Sequence, residues 1–545
     1  MRPSILHFTI QGRMKTIIQF FIIAGLLTVV PGCKKKELDL VNQNAYAYET
    51  YFNNISALNE ATVATYATLV HPGLWAREYY YIFDLLGYEA KRASFLLGAE
   101  QELGDYTFGT NNADLTSLWG SLYRMIFRAN LVLDRATAWN PTASADRIKL
   151  NQYVAEVKFL RAYAYFHLVN LWGDVPLYID YQTTLNNNYL PRSAAADVWK
   201  QVEKDLQEAE ATAELPVTYA ATDLGRASKG GVIALLGKAY LYEKKWPEAQ
   251  AELAKLMSAP YTYKLDPSFD NLFSTTNQNS VEDIFQIMDQ QWTDWGIGSP
   301  YYMFGNGAEQ VGKQTHTGRA MEYGWNDWKN VYISQAAVNA FTYPNPSDGT
   351  TYTDPRAKST FYGTAATGGE TIYCQQCATG PAPFPFDVTD PQGDYRWKKY
   401  EYYNLVNKYN DPKSPINGQV IRFADVMLML AEAHIQQGNT GSQPLALIDS
   451  VRSRSHAVLY TSLGDKANAM QLLMRERQLE LCGEQCRYFD LIRWGIAMQT
   501  INAEKGSEPG DGQRPFQPKH VLFPIPDSEK NYNPNVAKGV KNGWN

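Results

Sequence analysis

The chain has 545 residues and carries 56 acidic against 50 basic side chains, for a formal charge of −6. With an isoelectric point near 5.8 it lacks the basic footprint that nucleic-acid binding requires, and nucleic acid is excluded as a partner. The length allows several average domains or one helical-repeat body, and beyond the N-terminal run no stretch of about 18 apolar residues offers a second route into a membrane.

Near the start, Met14-Lys15 precedes "TIIQFFIIAGLLTVV", 15 residues that are short for a permanent membrane helix but suit the apolar core of a secretory signal. Val30-Pro31-Gly32-Cys33 follows and resembles the bacterial lipobox, although that pattern prefers leucine three residues before the cysteine and a small residue at Pro31. Residues 1–32 are therefore expected to be a signal peptide, translated from Met14, and Cys33 to carry a diacylglycerol anchor. The plainer alternative is an ordinary signal with an incidental cysteine.

Helical periodicity governs both ends of the body. In 152–172, "QYVAEVKFLRAYAYFHLVNLW", Val154, Val157, Leu160, Ala164, Leu168 and Leu171 line one helix face, buried on that side and ending at Gly173. In 229–256, Gly237, Tyr240, Trp246, Ala249, Leu253 and Leu256 fall near the positions of a tetratricopeptide repeat, with Gly237 and Ala249 allowing two antiparallel helices to approach closely. Residues 427–451, with Ala431, Ala433 and Gly438, predict a second such pair, and weaker helical signatures lie around 53–70 and 113–137. The fold class expected is mainly α, a tetratricopeptide-like helical-repeat scaffold with segments at about 45–257 and 420–500. Between them, about 258–420 is a loop-rich, partly β insert, full of turn residues and aromatics ("DWGIGSPYYMFGNG", "GPAPFPFDVTDPQGDYRWKKY"). Loops of that length usually carry function, so the insert is the candidate ligand surface.

No catalytic signature emerges. H-E-x-x-H, G-x-S-x-G and a full dinucleotide fingerprint are missing, and Gly307 to Gln314 matches phosphate-loop spacing but has Gln314 where a hydroxyl must hold magnesium. Carboxylate pairs such as Asp84/Glu89 or Glu476/Glu480 could be read as glycosidase acids. Glu476 and Glu480, however, sit among Arg475, Arg477 and Arg487, which favours structural ion pairing. Besides Cys33, Cys374/Cys377 and Cys482/Cys486 form two local pairs; a zinc site is one reading, and local disulfides in an oxidising compartment are the simpler one. The seven scattered histidines offer no ligand cluster, so neither metal nor cofactor is expected.

Five ordered segments together resemble the RagB/SusD-like family of outer-membrane nutrient-binding lipoproteins. They are "EVKFLRAYAYFHLVNLWGDVPLY" (156–178), "RASKGGVIALLGKAYLY" (226–242), "IRFADVMLMLAEAH" (421–434), "RERQLELCGEQCRYFDLIRWG" (475–495) and "VLFPIPDSEKNYNPN" (521–535). The fourth departs from the family, which usually has an aromatic at Gly483, glycine at Gln485 and histidine at Cys486. In physical terms these segments are scaffold: Arg161, Arg422, Glu432, Glu480, Arg487, Asp490 and Arg493 are expected to join helices through paired charges, while Pro524 and Pro526 fix an extended tail.

The resemblance implies a non-enzymatic lipoprotein that captures oligosaccharides, or in some members peptides, and caps a SusC-like TonB-dependent outer-membrane transporter. It also implies anchoring by lipid at Cys33 and exposure to the cell exterior. A sugar ring presents an apolar C–H face and a hydroxyl rim, which suits an aromatic platform flanked by amides and charged groups. By family placement, the platform residues expected here are Trp75, Trp292, Trp295, Tyr301 and Trp325, with Arg77, Asp294 and Asn326 as polar partners. Rival readings are a peptide groove on the same scaffold, a surface glycosidase, and a structural repeat adaptor needing no aromatic platform.

Overall fold

The computed structural model describes residues 51–187, 189–289, 317–324, 328–363, 395–404, 414–507 and 514–538, with the short pieces 368, 373–374, 382–383, 409–410 and 544. Asn54–Asn545 forms the folded body, a unit distinct from Met1–Asn53. Its longer helices are α1 (Ile55–Tyr66), α2 (Glu78–Leu86), α3 (Ala113–Ala138), α4 (Ser144–Trp172), α5 (Ala195–Ala211), α6 (Lys229–Tyr242) and α7 (Trp246–Ala254). After the middle segment come α8 (Phe423–Gln436), α9 (Ser442–Arg454), α10 (Lys466–Glu480), α11 (Arg487–Arg493) and α12 (Ala497–Ser507). Among the described residues the sheets are two-stranded and antiparallel, including β1 (Ala90–Arg92) with β3 (Val331–Ile333) and β2 (Asp283–Ile287) with β4 (Gly418–Arg422).

Local chemistry sets the helix starts. Side-chain oxygens of Asn54, Asn112, Ser228 and Asp465 accept from the backbone N–H three residues on, at 2.9, 3.1, 3.2 and 2.9 Å, which satisfies donors that the first turn leaves unpaired. At the other end of α4, Gly173 takes a φ of +72°, a conformation that a β-carbon disfavours. The face read from the sequence is buried at Val157, Leu160, Ala164, Leu168 and Leu171, but Phe159, Tyr163, Tyr165 and Phe166 are buried as well. From Gln152 onward helix α4 is thus buried on more than one face, because α3 and α5 both pack on it, while its first two turns are largely exposed.

From α3 onward each helix packs on the next, α3 on α4, α4 on α5, α5 on α6 and α6 on α7, in the manner of a helical repeat. The row continues from α7 directly onto α8, although residues 255–422 intervene in sequence, and α8 then packs on α9 and α10. The tetratricopeptide-like contact is borne out at α6 and α7: a β-carbon on Gly237 would stand 2.5 Å from Leu253 Cδ2, and Ala249 is fully buried. The tail closes on α4, where Phe523 N–H donates to Leu171 O (2.6 Å) and Trp172 Nε1 to Pro524 O (2.9 Å). Residues 331–361 share this core through Val331, Ile333, Val338, Phe341 and Phe361.

A buried charge cluster ties the middle of the chain to the C-terminal helices. Arg422, at the end of β4, donates to Glu282 (2.7 Å), Glu480 (2.6 Å) and Glu484 (2.7 Å). Arg356 reaches Asp354, Glu476 and Glu480; Arg452 reaches Glu476; Arg454 joins Glu282 and Glu480; Lys399 joins Glu484. The guanidinium and ammonium groups of Arg356, Arg422, Arg452, Arg454 and Lys399 balance the five carboxylates, which is the condition for burying them. Ion pairing of Glu476 and Glu480 is as the sequence implied, but the partners differ. Arg477 pairs instead with Asp425 and Asp490, and Arg487 with Glu504.

The i,i+4 helical relation of Cys482 and Cys486 does not form. Helix α10 ends at Glu480, and a turn with left-handed residues at Gly483 (φ +73°) and Gln485 (φ +59°) separates the two cysteines. Both thiols are free, which corrects the disulfide reading for this pair. Cys33 and Cys377, and the side chain of Cys374, lie outside the described residues.

Candidate functional site

The turn before α2 is built by contact with α3. Gly73 lies so close to it that a β-carbon there would stand 2.3 Å from Ser117 O, and His71 Nδ1 meets Ser121 Oγ at 2.6 Å. Leu74 is fully buried beneath the turn, which leaves the next residue, Trp75, half-buried over α4. Its indole Nε1 donates to Tyr163 Oη (2.9 Å), and its ring stacks on Tyr79 with centroids 4.7 Å apart. Tyr79 Oη meets His167 Nε2 at 3.0 Å, and His167 Nδ1 faces Tyr163 O at 2.9 Å. With Nδ1–H donating to that carbonyl, Nε2 accepts from the tyrosine, and burial pushes the imidazole down to about 4, so it is neutral. The cavity beneath, lined by Trp75, Tyr79, Tyr163, His167, Lys238 and Cys486 among others, measures about 30 Å³, room for water but not for a sugar ring.

Arg77 continues the turn and is held by two carboxylates, Glu322 Oε1 and Glu100 Oε1, each at 2.8 Å, with its guanidinium 4.9 Å from the Tyr81 ring centroid. Tyr80 Oη donates to the other oxygen of Glu322 at 2.6 Å. Burial pushes the Glu78 carboxyl up to about 7 beside this group, despite the opposing pull of Arg77. Arg77 is thus a positioned cation whose charge is already compensated.

The turn also meets described residues that are close in sequence to the aromatic segments. Ala76 O accepts from Thr317 Oγ1 (3.4 Å), and Asp289 N–H donates to Asn417 Oδ1 (2.9 Å), next to Gly418, whose β-carbon position is 3.0 Å from Trp75 Cε3. Thr317 thus contacts the turn itself, and Asp289 bonds the neighbour of the glycine that packs on Trp75. Likewise, Glu322 binds Arg77, and its carbonyl accepts from Asn330 N–H (2.8 Å). Trp292, Asp294, Trp295, Tyr301, Trp325 and Asn326 lie outside the described residues, as does the phosphate-loop-like stretch Gly307 to Gln314.

Sequence reasoning missed Tyr79, Tyr163, Glu100 and Glu322, which fix Trp75 and Arg77. Only a local hint existed, the clustering of tyrosines at 79–81; the partners are 88 and 245 residues away. The carboxylate pairs considered for hydrolysis are not presented to a substrate. Glu476 and Glu480 are spent in the buried cluster, and Asp84 is fully buried against Arg319 (3.0 Å), Tyr323 Oη (2.9 Å) and Gln485. Among the described residues no group of three or more metal-ligating side chains is placed to hold an ion.

Two family models match the chain, "SusD family" over residues 281–544 and "Starch-binding associating with outer membrane" over residues 38–241. A SusD-like protein, P25, of Formosa agariphila is 26% identical over 548 residues, covering 91% of this chain and 94% of that protein. A SusD superfamily protein from Bacteroides vulgatus has a similar fold, with a TM-score of 0.69 and 25% identity across 89% of this chain and 99% of its own. A laminarin-binding SusD-like protein aligns with a TM-score of 0.68 and 24% identity, over 88% of this chain and 98% of its own. The two matches together span most of the chain, and with the similarity to SusD-like proteins along nearly their whole length they lead to one conclusion: the chain belongs to the SusD family.

Proposed function

We propose that this protein captures oligosaccharides or polysaccharides at the outer surface of the outer membrane and passes them to a TonB-dependent transporter. The observation that carries this reading is the contact of the fixed Trp75–Arg77 turn with Thr317, Glu322 and Gly418, described residues near the aromatic segments named from sequence. On this reading Trp75, Trp292, Trp295, Trp325 and Tyr301 are the proposed stacking residues, with Arg77, Asp294 and Asn326 proposed to meet hydroxyls. Names of relatives that bind laminarin or surface glycans support a glycan over a peptide ligand. The protein acts by retention, not turnover. Lipid at Cys33 holds it to the membrane, and a SusC-like transporter is its partner.

The test is binding of purified protein to an array of plant, host and microbial glycans and to a peptide pool, repeated with Trp292→Ala and Trp325→Ala. Retention of one glycan class, lost in both variants and without product release, supports the proposal. Retention of peptides alone replaces it with the peptide reading, and release of shortened glycans replaces it with a glycosidase.

A further inference from the structure

A hollow of about 480 Å³ opens between α10 and the α11–α12 segment, on residues that include none from the Trp75 turn or from α2. That volume lies in the range of small-molecule sites. Its walls combine apolar side chains such as Leu481 with the amides of Gln471 and Gln478 and the hydroxyl of Thr500. Three guanidinium groups line it, and two are neutralised: Arg477 by Asp425 and Asp490, Arg487 by Glu504. Arg475 is different. Among the described residues it has no carboxylate partner, and its guanidinium lies over the Tyr343 ring at 5.1 Å. Stacking on a ring face leaves the in-plane N–H donors of a guanidinium available to a carboxylate.

Beneath the hollow lies Glu89, 1% exposed, with Oε2 accepting from Gly483 N–H (3.0 Å) and Oε1 without a hydrogen-bond partner. Burial pushes this carboxyl up to about 8, so it is protonated at neutral pH and does not repel an anion above it. The uncompensated charge of the hollow is then the Arg475 cation.

We propose that this hollow is a second ligand site, taking a small sugar acid whose carboxylate pairs with Arg475 and whose hydroxyls meet Gln471, Gln478 and Thr500. A bare carboxylate would leave most of the volume empty, and a neutral sugar would leave the Arg475 donors unused. The site is independent of the glycan-capture face, since it shares neither Trp75 nor the segments expected to surround it.

Calorimetric titration of the purified full-length protein with D-glucuronate, D-galacturonate, D-glucose and acetate tests the assignment. The expected result is binding of one or both uronates, at least about tenfold tighter than glucose or acetate, with loss of about tenfold or more in Arg475→Gln. Arg475→Lys retains part of the affinity, and Trp75→Ala, at the other site, leaves it unchanged. Thermal melting of Arg475→Gln should stay close to the parent, because the variant loses the contact with the Tyr343 ring but no carboxylate partner among the described residues. Uronates that do not bind, uronates that bind no better than glucose or acetate, or uronate affinity unchanged in Arg475→Gln would overturn the proposal.

Discussion

The indole N–H of Trp75 donates to the Tyr163 hydroxyl across 2.9 Å, joining the turn before α2 to the middle of α4. One hydrogen bond thereby fixes a loop aromatic against the buried part of α4. Tyr163→Phe keeps the ring and removes the acceptor, leaving a donor without its partner. The expected outcome is a loss of about 1 kcal/mol in urea unfolding together with weaker glycan retention. Unchanged stability would show that the indole finds another acceptor.

Close approach of α6 and α7 at Gly237 makes a second prediction. Gly237→Ala places a methyl group 2.5 Å from Leu253 Cδ2, with Leu253 Cγ at 2.6 Å, and should destabilise the protein by about 1–3 kcal/mol. Adding Leu253→Ala empties the space that the methyl group enters. Chemical denaturation of the four-member cycle should therefore give a double variant less damaged than the sum of the two single changes.

Gln485 occupies a left-handed conformation where the family usually has glycine, and its Nε2 donates to both oxygens of Asp84 at 2.9 and 3.0 Å. Those bonds to a buried carboxylate offset the strain of a β-carbon at φ +59°. Gln485→Ala loses the bonds and keeps the strain, at a cost of about 2–3 kcal/mol, whereas Gln485→Gly loses the bonds but relieves it by about 1 kcal/mol. Equal melting temperatures for the two variants would contradict this account.

His167 supplies a pH dependence. Its imidazole is pushed down to about 4 by burial, from an ordinary value of 6.5. A histidine that is harder to protonate when folded contributes stability at pH above 6.5 that is lost as pH falls toward 4. His167→Gln retains an acceptor for Tyr79 and removes the titration. Between those limits the parent should lose up to about 3 kcal/mol more than the variant, read as a shallower acid limb of unfolding free energy against pH for His167→Gln.

Local features were legible in the sequence for a physical reason: helix periodicity, caps and small-residue contacts depend on residues within a few positions of one another. The apolar stripe of α4, its stop at Gly173 and the Gly237/Ala249 pairing all follow from such spacing, as does the presence of ion pairing around Glu476 and Glu480. Which cations those carboxylates meet could not be read there. Glu480 bonds Arg422, Arg356 and Arg454, which are 58, 124 and 26 residues away, while the neighbouring Arg477 turns to Asp425 and Asp490. Nor does spacing show that Trp75 and Arg77 are gripped by Tyr163, Glu100 and Glu322, or that Cys482 and Cys486 are parted by a left-handed turn. The sequence determined the helices and the family; the return of distant segments onto α4 and α10 decided the partners, because a buried charge or indole takes whichever group the packed chain brings within hydrogen-bonding reach.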